Sequence, residues 1–110
     1  MDMRIKSLID DLLAETKKLG VDTSTVVLFG SQSDGTATDD SDVDIALISS
    51  SFQNLDSLQR RKRIKPALYR IIEWYQVPID LILLTPEEYD KESSIRMSFI
   101  RNGVSIPVSV

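Results

Sequence analysis

The sequence predicts an α/β (α+β) fold, a mixed β-sheet of about four strands with helices packed on it. Three observations carry this prediction. Short segments at 25–29, 43–49 and 79–84 are rich in β-branched and apolar residues and too short for helices. The C-terminal Val104, Ile106, Val108 and Val110 alternate with Ser105, Pro107 and Ser109, the period of a strand. The segments between carry apolar residues at spacings of three and four, the period of helices with one buried stripe.

Taken in order, Ile5, Leu8, Ile9, Leu12, Leu13 and Leu19 mark a first helix over 2–19, and Gly20 closes it. The strand at 25–29 ends at Gly30. Residues 31–41 are polar, with a further turn signal at Gly35, and read as a loop with room for one helical turn at its start. A second strand covers 43–49. Residues 49–54 form the best linker in the chain. A long helix over 55–75 has Leu58, Ile64, Leu68, Ile71, Ile72 and Tyr75 as its inner face, and Pro66 should kink it or begin a second piece. The third strand, 79–84, follows Pro78. Thr85, Pro86 and Glu88 then supply an N-cap, a first-turn proline and the third-position acid of a capping box. That helix runs to about 102 with a break near Ser93, and Gly103 stops it. Pro107 assigns the last strand to an edge.

Composition removes several classes of chemistry. The chain has 110 residues, which fits one domain over 1–110, and 13 Lys and Arg against 17 Asp and Glu give a net charge of −4. With no Cys and no His there is no disulfide framework, no Cys/His zinc site, no thiol nucleophile and no imidazole base. Catalysis would rest on carboxylates, hydroxyls, Lys or Arg. The apolar runs are short and the start reads Met-Asp-Met-Arg, so neither a spanning helix nor a signal peptide is expected, and a cytoplasmic protein without membrane contact is. The acidic balance argues against nonspecific nucleic-acid binding.

The informative segment is 28–48. A strand running into Gly30-Ser31 lets backbone approach a ligand closely, and a helical turn after it would direct N–H groups and the Ser31 hydroxyl at an anion such as phosphate. Asp42 and Asp44 stand two apart, so on a strand both carboxylates share one face, about 6.6 Å apart at Cα. Like charges this close call for a cation, and hard oxygen donors select Mg²⁺ or Mn²⁺ together with substrate phosphates. Asp80 supplies a third carboxylate inside an otherwise apolar strand, where an unpaired charge is costly. If that strand pairs beside 43–49, Asp80 joins the other two. A phosphate cradle beside a carboxylate clamp implies phosphoryl or nucleotidyl transfer.

Gly30-Ser31, ten residues, Asp42-Val43-Asp44 and a later Asp80 resemble the DNA polymerase β-like nucleotidyltransferase superfamily. The small size resembles its minimal nucleotidyltransferase (MNT) branch. The resemblance implies the polymerase β-like fold, with Gly30 and Ser31 on a nucleoside triphosphate, ATP or another. It implies that Asp42, Asp44 and Asp80 bind Mg²⁺, with Asp80 helping to activate an acceptor hydroxyl that attacks the α-phosphorus. Many minimal members resemble antitoxins that bind a HEPN ribonuclease toxin and adenylylate its tyrosine. This implies a protein adenylyltransferase in a hetero-oligomer with such a toxin. Where relatives often carry Arg after Gly-Ser, this chain has Gln32, Ser33 and Asp34, which add no positive charge. The alternative function is therefore a weakly active or inactive MNT module that neutralises its partner by binding.

Plainer readings stand beside these. Asp42 and Asp44 could form a solvated acidic turn, Gly30-Ser31 an ordinary turn, and Asp80 a water-facing residue at a strand start. A calcium loop fails because Ile45 and Ser51 replace its Gly and its bidentate Glu. The cluster Arg60, Arg61, Lys62, Arg63 and Lys65 reads as a solvated helix face, with an acidic partner or RNA as its functional alternative. Tyr69, Trp74 and Tyr75 read as packing residues.

Overall fold

The computed structural model describes residues 3–30, 42–92 and 95–108. Its elements are α1 (Met3–Lys18), β1 (Thr23–Phe29), β2 (Val43–Ser49), a 3-10 turn (Ser50–Phe52), α2 (Ser57–Tyr75), β3 (Ile79–Leu84), α3 (Pro86–Lys91), α4 (Ile95–Arg101) and β4 (Val104–Pro107). The loop expected at 31–41, Ser31 included, and the break near Ser93 lie outside the described residues.

The four strands form one mixed sheet in the order β3-β2-β1-β4. β1 pairs antiparallel with β2 and β4, and β2 pairs parallel with β3. β4 is an outer strand, as Pro107 required. Alternation along the strands gives the sheet two apolar faces. Val26, Leu28, Val43, Ile45 and Leu47 pack with Ile5, Leu8, Ile9 and Leu12 of α1 and Ile64 and Ile71 of α2. On the other face Val27, Phe29, Ala46, Ile48, Ile82 and Leu84 pack with Met97 and Ile100 of α4.

Several local expectations change. The segment read as a linker is an anchor: Phe52 is fully buried and belongs to the α1/α2 core. The Ser49 hydroxyl donates to the Asp22 carbonyl at 2.6 Å and accepts from the Ser51 N–H at 3.0 Å, tying the turn to the start of β1.

Pro66 neither ends α2 nor starts a second helix. It sits on the exposed side, where a carbonyl lacking its helical partner remains open to water. Both ends of α2 are also held, by a capping box between Asp56 and Gln59 and by left-handed Gln76, whose N–H bonds the Ile72 carbonyl. The buried residues of α2 are Ile64, Ala67 and Ile71, and Leu68 and Tyr75 pack against the same core as expected, while Leu58 is 62% exposed. Tyr69 and Trp74, expected to pack, are exposed, because both lie away from that stripe. Tyr75 does serve the α1–α2 contact, donating to Asp11 Oδ2 at 2.5 Å, with Ser7 Oγ 2.8 Å away.

Of the basic cluster, Arg60 is not a solvated charge. Its guanidinium donates to the Leu55 and Leu83 carbonyls at 2.9 and 3.0 Å and to Glu88 Oε1 at 2.6 Å. It joins the start of α2, the end of outer strand β3 and the expected Thr85–Glu88 capping box. Burial disfavours the Glu88 anion, but the guanidinium and the Thr85 N–H outweigh it and hold the carboxyl below its ordinary range. Among the described residues no helix is long and apolar enough to cross a membrane.

Candidate active site

One row of the sheet departs from the apolar pattern of its face. Asp44 is the register partner of Phe29 on one side and of Asp80 on the other. The next row on that face is Val27, Ala46 and Ile82, and the one beyond includes Ile48 and Leu84. The two aspartates therefore continue a face that is otherwise buried under α4. Register partners on neighbouring strands sit about 4.8 Å apart, so the carboxylates emerge side by side.

This geometry depends on parallel pairing of β2 and β3, which is held into the loops where the Val43 N–H donates to the Pro78 carbonyl at 2.9 Å. Asp42 immediately precedes β2 and is exposed. Asp44 is partly buried, whereas Asp80 is exposed. Burial first, then the charges of Asp80 and Asp42, push the Asp44 carboxyl above its ordinary value. All three carboxylates thus act on one locus, even though Asp80 comes from a distant part of the chain.

Gly30 closes the other side. Its φ is +70°, a left-handed conformation that disfavours side chains, and a Cβ built on it would stand 2.2 Å from Asp44 Oδ2. The glycine is required by the Asp44 carboxylate itself, in addition to any ligand. Gly103 plays a similar part beneath β1, where a Cβ would meet the Leu28 carbonyl oxygen at 2.5 Å. The structure thus joins Gly30, Asp44 and Asp80, with Asp42 near enough for its charge to act on Asp44; Ser31 lies outside the described residues.

The donors are all carboxylate oxygens, chemistry suited to Mg²⁺ or Mn²⁺ and unsuited to a thiolate or imidazole metal. The Asp44 carboxyl is raised first by burial and then by the charges of Asp80 and Asp42, and a cation beside it would favour its ionised form. Among the described residues no three ligands stand close enough together to form a ready-made cage. An ion here would complete its shell with other oxygens, which agrees with the habit of Mg²⁺ of taking few carboxylates and sharing substrate phosphates.

A glycine-ended strand thus stands beside paired aspartates on two parallel strands. A model of the nucleotidyltransferase domain matches residues 9–106. The chain belongs to the nucleotidyltransferase domain family. The chain is 32% identical over 92 residues to a protein of Methanocaldococcus jannaschii described as "Putative protein adenylyltransferase MJ1305", over 81% of this chain and 60% of that one. It therefore spans less than two thirds of that relative's length.

Among solved structures it is similar to a chain from a toxin-antitoxin crystal structure with AMP-PNP, with a TM-score of 0.61 and 22% identity over 90% of this chain and 69% of that one. It is also similar to a "putative nucleotidyltransferase" from Sulfolobus solfataricus, with a TM-score of 0.56 and 22% identity over 96% and 86% of the two chains. These likenesses show the fold, the mixed α/β sheet expected from the sequence. The minimal nucleotidyltransferase reading fits all of these relatives.

Proposed function

We propose that this nucleotidyltransferase is a single catalytic domain that transfers AMP from ATP to a hydroxyl of a partner protein, a tyrosine of a HEPN ribonuclease toxin, and so acts as a cytoplasmic antitoxin. The observation that carries the proposal is the in-register pair Asp44 and Asp80 beside Gly30. The relative described as a protein adenylyltransferase and the neighbour from a toxin-antitoxin structure with AMP-PNP support the nucleotide and the partner class.

In this reading Gly30 and Ser31 receive the triphosphate. Asp42, Asp44 and Asp80 would hold Mg²⁺ or Mn²⁺, which supplies charge neutralisation at the α-phosphate and the leaving group. Asp80, the exposed member of the pair, takes the proton from the acceptor hydroxyl. The freed oxygen bonds the α-phosphorus, the bond from that phosphorus to the bridging oxygen breaks, and pyrophosphate leaves with the electron pair.

The test is transfer of label from α-³²P-ATP, with Mg²⁺, to the protein encoded by the adjacent gene. Wild type should label it and the Asp42→Asn/Asp44→Asn variant should not. Absence of wild-type transfer, or equal transfer by the variant, overturns the reading. If that variant transfers no label yet still protects cells, neutralisation is by binding.

A further inference from the structure

The net charge of −4 conceals a strong segregation. Within α2, Arg60, Arg61, Lys62, Arg63, Lys65 and Arg70 face only Glu73 as an acidic counterpart. Arg60 is consumed by the clamp on Leu83 and Glu88, and Arg70 pairs with Glu15 at 2.8 Å. Arg61, Lys62, Arg63 and Lys65 are exposed, and Arg61, Lys62 and Lys65 share one side of the helix. They alternate with large apolar groups that the core leaves out: Leu58 is 62% exposed and Tyr69 58%. Leu58, Lys62, Lys65 and Tyr69 follow spacings of four, three and four, so they form one outward stripe about 16 Å long. The Lys65 ammonium lies 5.3 Å from the centre of the Tyr69 ring.

We propose that this stripe of α2 is the docking surface for the acceptor protein, which presents to it an acidic segment carrying apolar side chains. The acceptor's being a protein rests on the function proposed above. Charge complementarity selects the partner: three exposed cations repel a basic surface and attract Asp and Glu. Tyr and Arg are enriched at protein contact sites, and the exposed Leu58 adds apolar area beside them. An RNA strand is the less fitting occupant, because Leu58 offers a base nothing to stack on and Lys65 already covers the Tyr69 ring.

Position also fits. α2 ends at Tyr75, residues 76–78 lead directly into β3, and β3 is the outermost strand. The Tyr69 end of the stripe is the end nearer the turn that leads to Asp80, and among the described residues no strand lies beyond β3.

The experiment measures binding of the full chain to the protein encoded by the adjacent gene by calorimetry, and in parallel the KM for that protein and for ATP. The variants are Arg61→Glu/Lys62→Glu/Lys65→Glu and Tyr69→Ala, with thermal melting to confirm folding. The triple variant should weaken binding at least tenfold and raise the protein KM while leaving the ATP KM unchanged. A photocrosslinker in place of Tyr69 should join a partner peptide rich in Asp and Glu.

Unchanged binding by the folded triple variant overturns the docking surface, even where label transfer persists and the proposed function stands. No binding by wild type overturns it as well. Binding through the stripe without label transfer keeps the surface and removes the catalytic reading. Tighter capture of a 12-residue oligouridylate, lost in the triple variant while protein binding persists, reassigns the face to nucleic acid.

Discussion

The Asp44 carboxylate lies against Gly30 so closely that the smallest side chain at residue 30 would have its Cβ 2.2 Å from Oδ2. Gly30→Ala must displace the carboxylate and hold an L-residue at φ +70°. The backbone term alone costs about 1–2 kcal/mol. Expected is a lower melting temperature with a loss of label transfer larger than the stability change explains, measured by calorimetry and by kcat at saturating ATP.

Asp44 itself should destabilise the metal-free protein. Its carboxyl is raised in the folded state by burial and by Asp80 and Asp42, so the native chain binds that proton more tightly than the unfolded chain. Stability from this group is therefore lost as pH rises from the ordinary value to the raised one. Asp44→Asn should melt higher than wild type at neutral pH, and the difference should vanish below about pH 3, where both states are protonated. Added Mg²⁺ or Mn²⁺ should raise the wild-type melting temperature and leave that of Asp44→Asn unchanged. Thermal scans across pH, with and without the ion, check both statements.

The clamp at Arg60 predicts the opposite pH behaviour. Glu88 is held below its ordinary range, so its contribution is present above that range and fades as pH falls through the lowered value. Glu88 is more than a third exposed, 38% by side chain, so solvent screening keeps this contribution small, well under about 1 kcal/mol. Arg60→Ala also strips the Leu55 and Leu83 carbonyls of their donor and should cost about 1–3 kcal/mol. Urea melts of wild type and variant at pH 7 and in mild acid should show the gap narrowing in acid.

Phe52 tests whether the short segment after β2 is a tether or part of the core. A fully buried ring cut to Ala should cost about 3–5 kcal/mol, whereas a linker residue would cost little. Denaturant unfolding of Phe52→Ala separates the two.

What could be read from the linear chain follows from short-range physics. Periodicity located the helices and strands, the Thr85-to-Glu88 box marked one helix start, and Pro107 put the last strand at an edge. The absence of His and Cys confined chemistry to oxygen donors, and the Asp42, Asp44 spacing proposed a shared face. Each of these depends on residues a few positions apart, where backbone geometry alone relates one side chain to the next.

The tertiary structure decided whatever needed partners far apart in the chain. Whether Asp80 stands beside Asp44 depends on parallel pairing and register, and a slip of one residue would turn its carboxylate to the other face. Arg60 looked like its neighbours Arg61 and Lys62, and only the arrival of Leu83 and Glu88 buried it. Phe52 sat among polar residues that read as a linker, and burial against α1 and α2 made it core. Leu58, Tyr69 and Trp74 were left outside because the sheet can cover only one stripe of α2. Local sequence chose the elements and the chemistry available; long-range packing chose which carboxylates meet, and which face of α2 remains exposed.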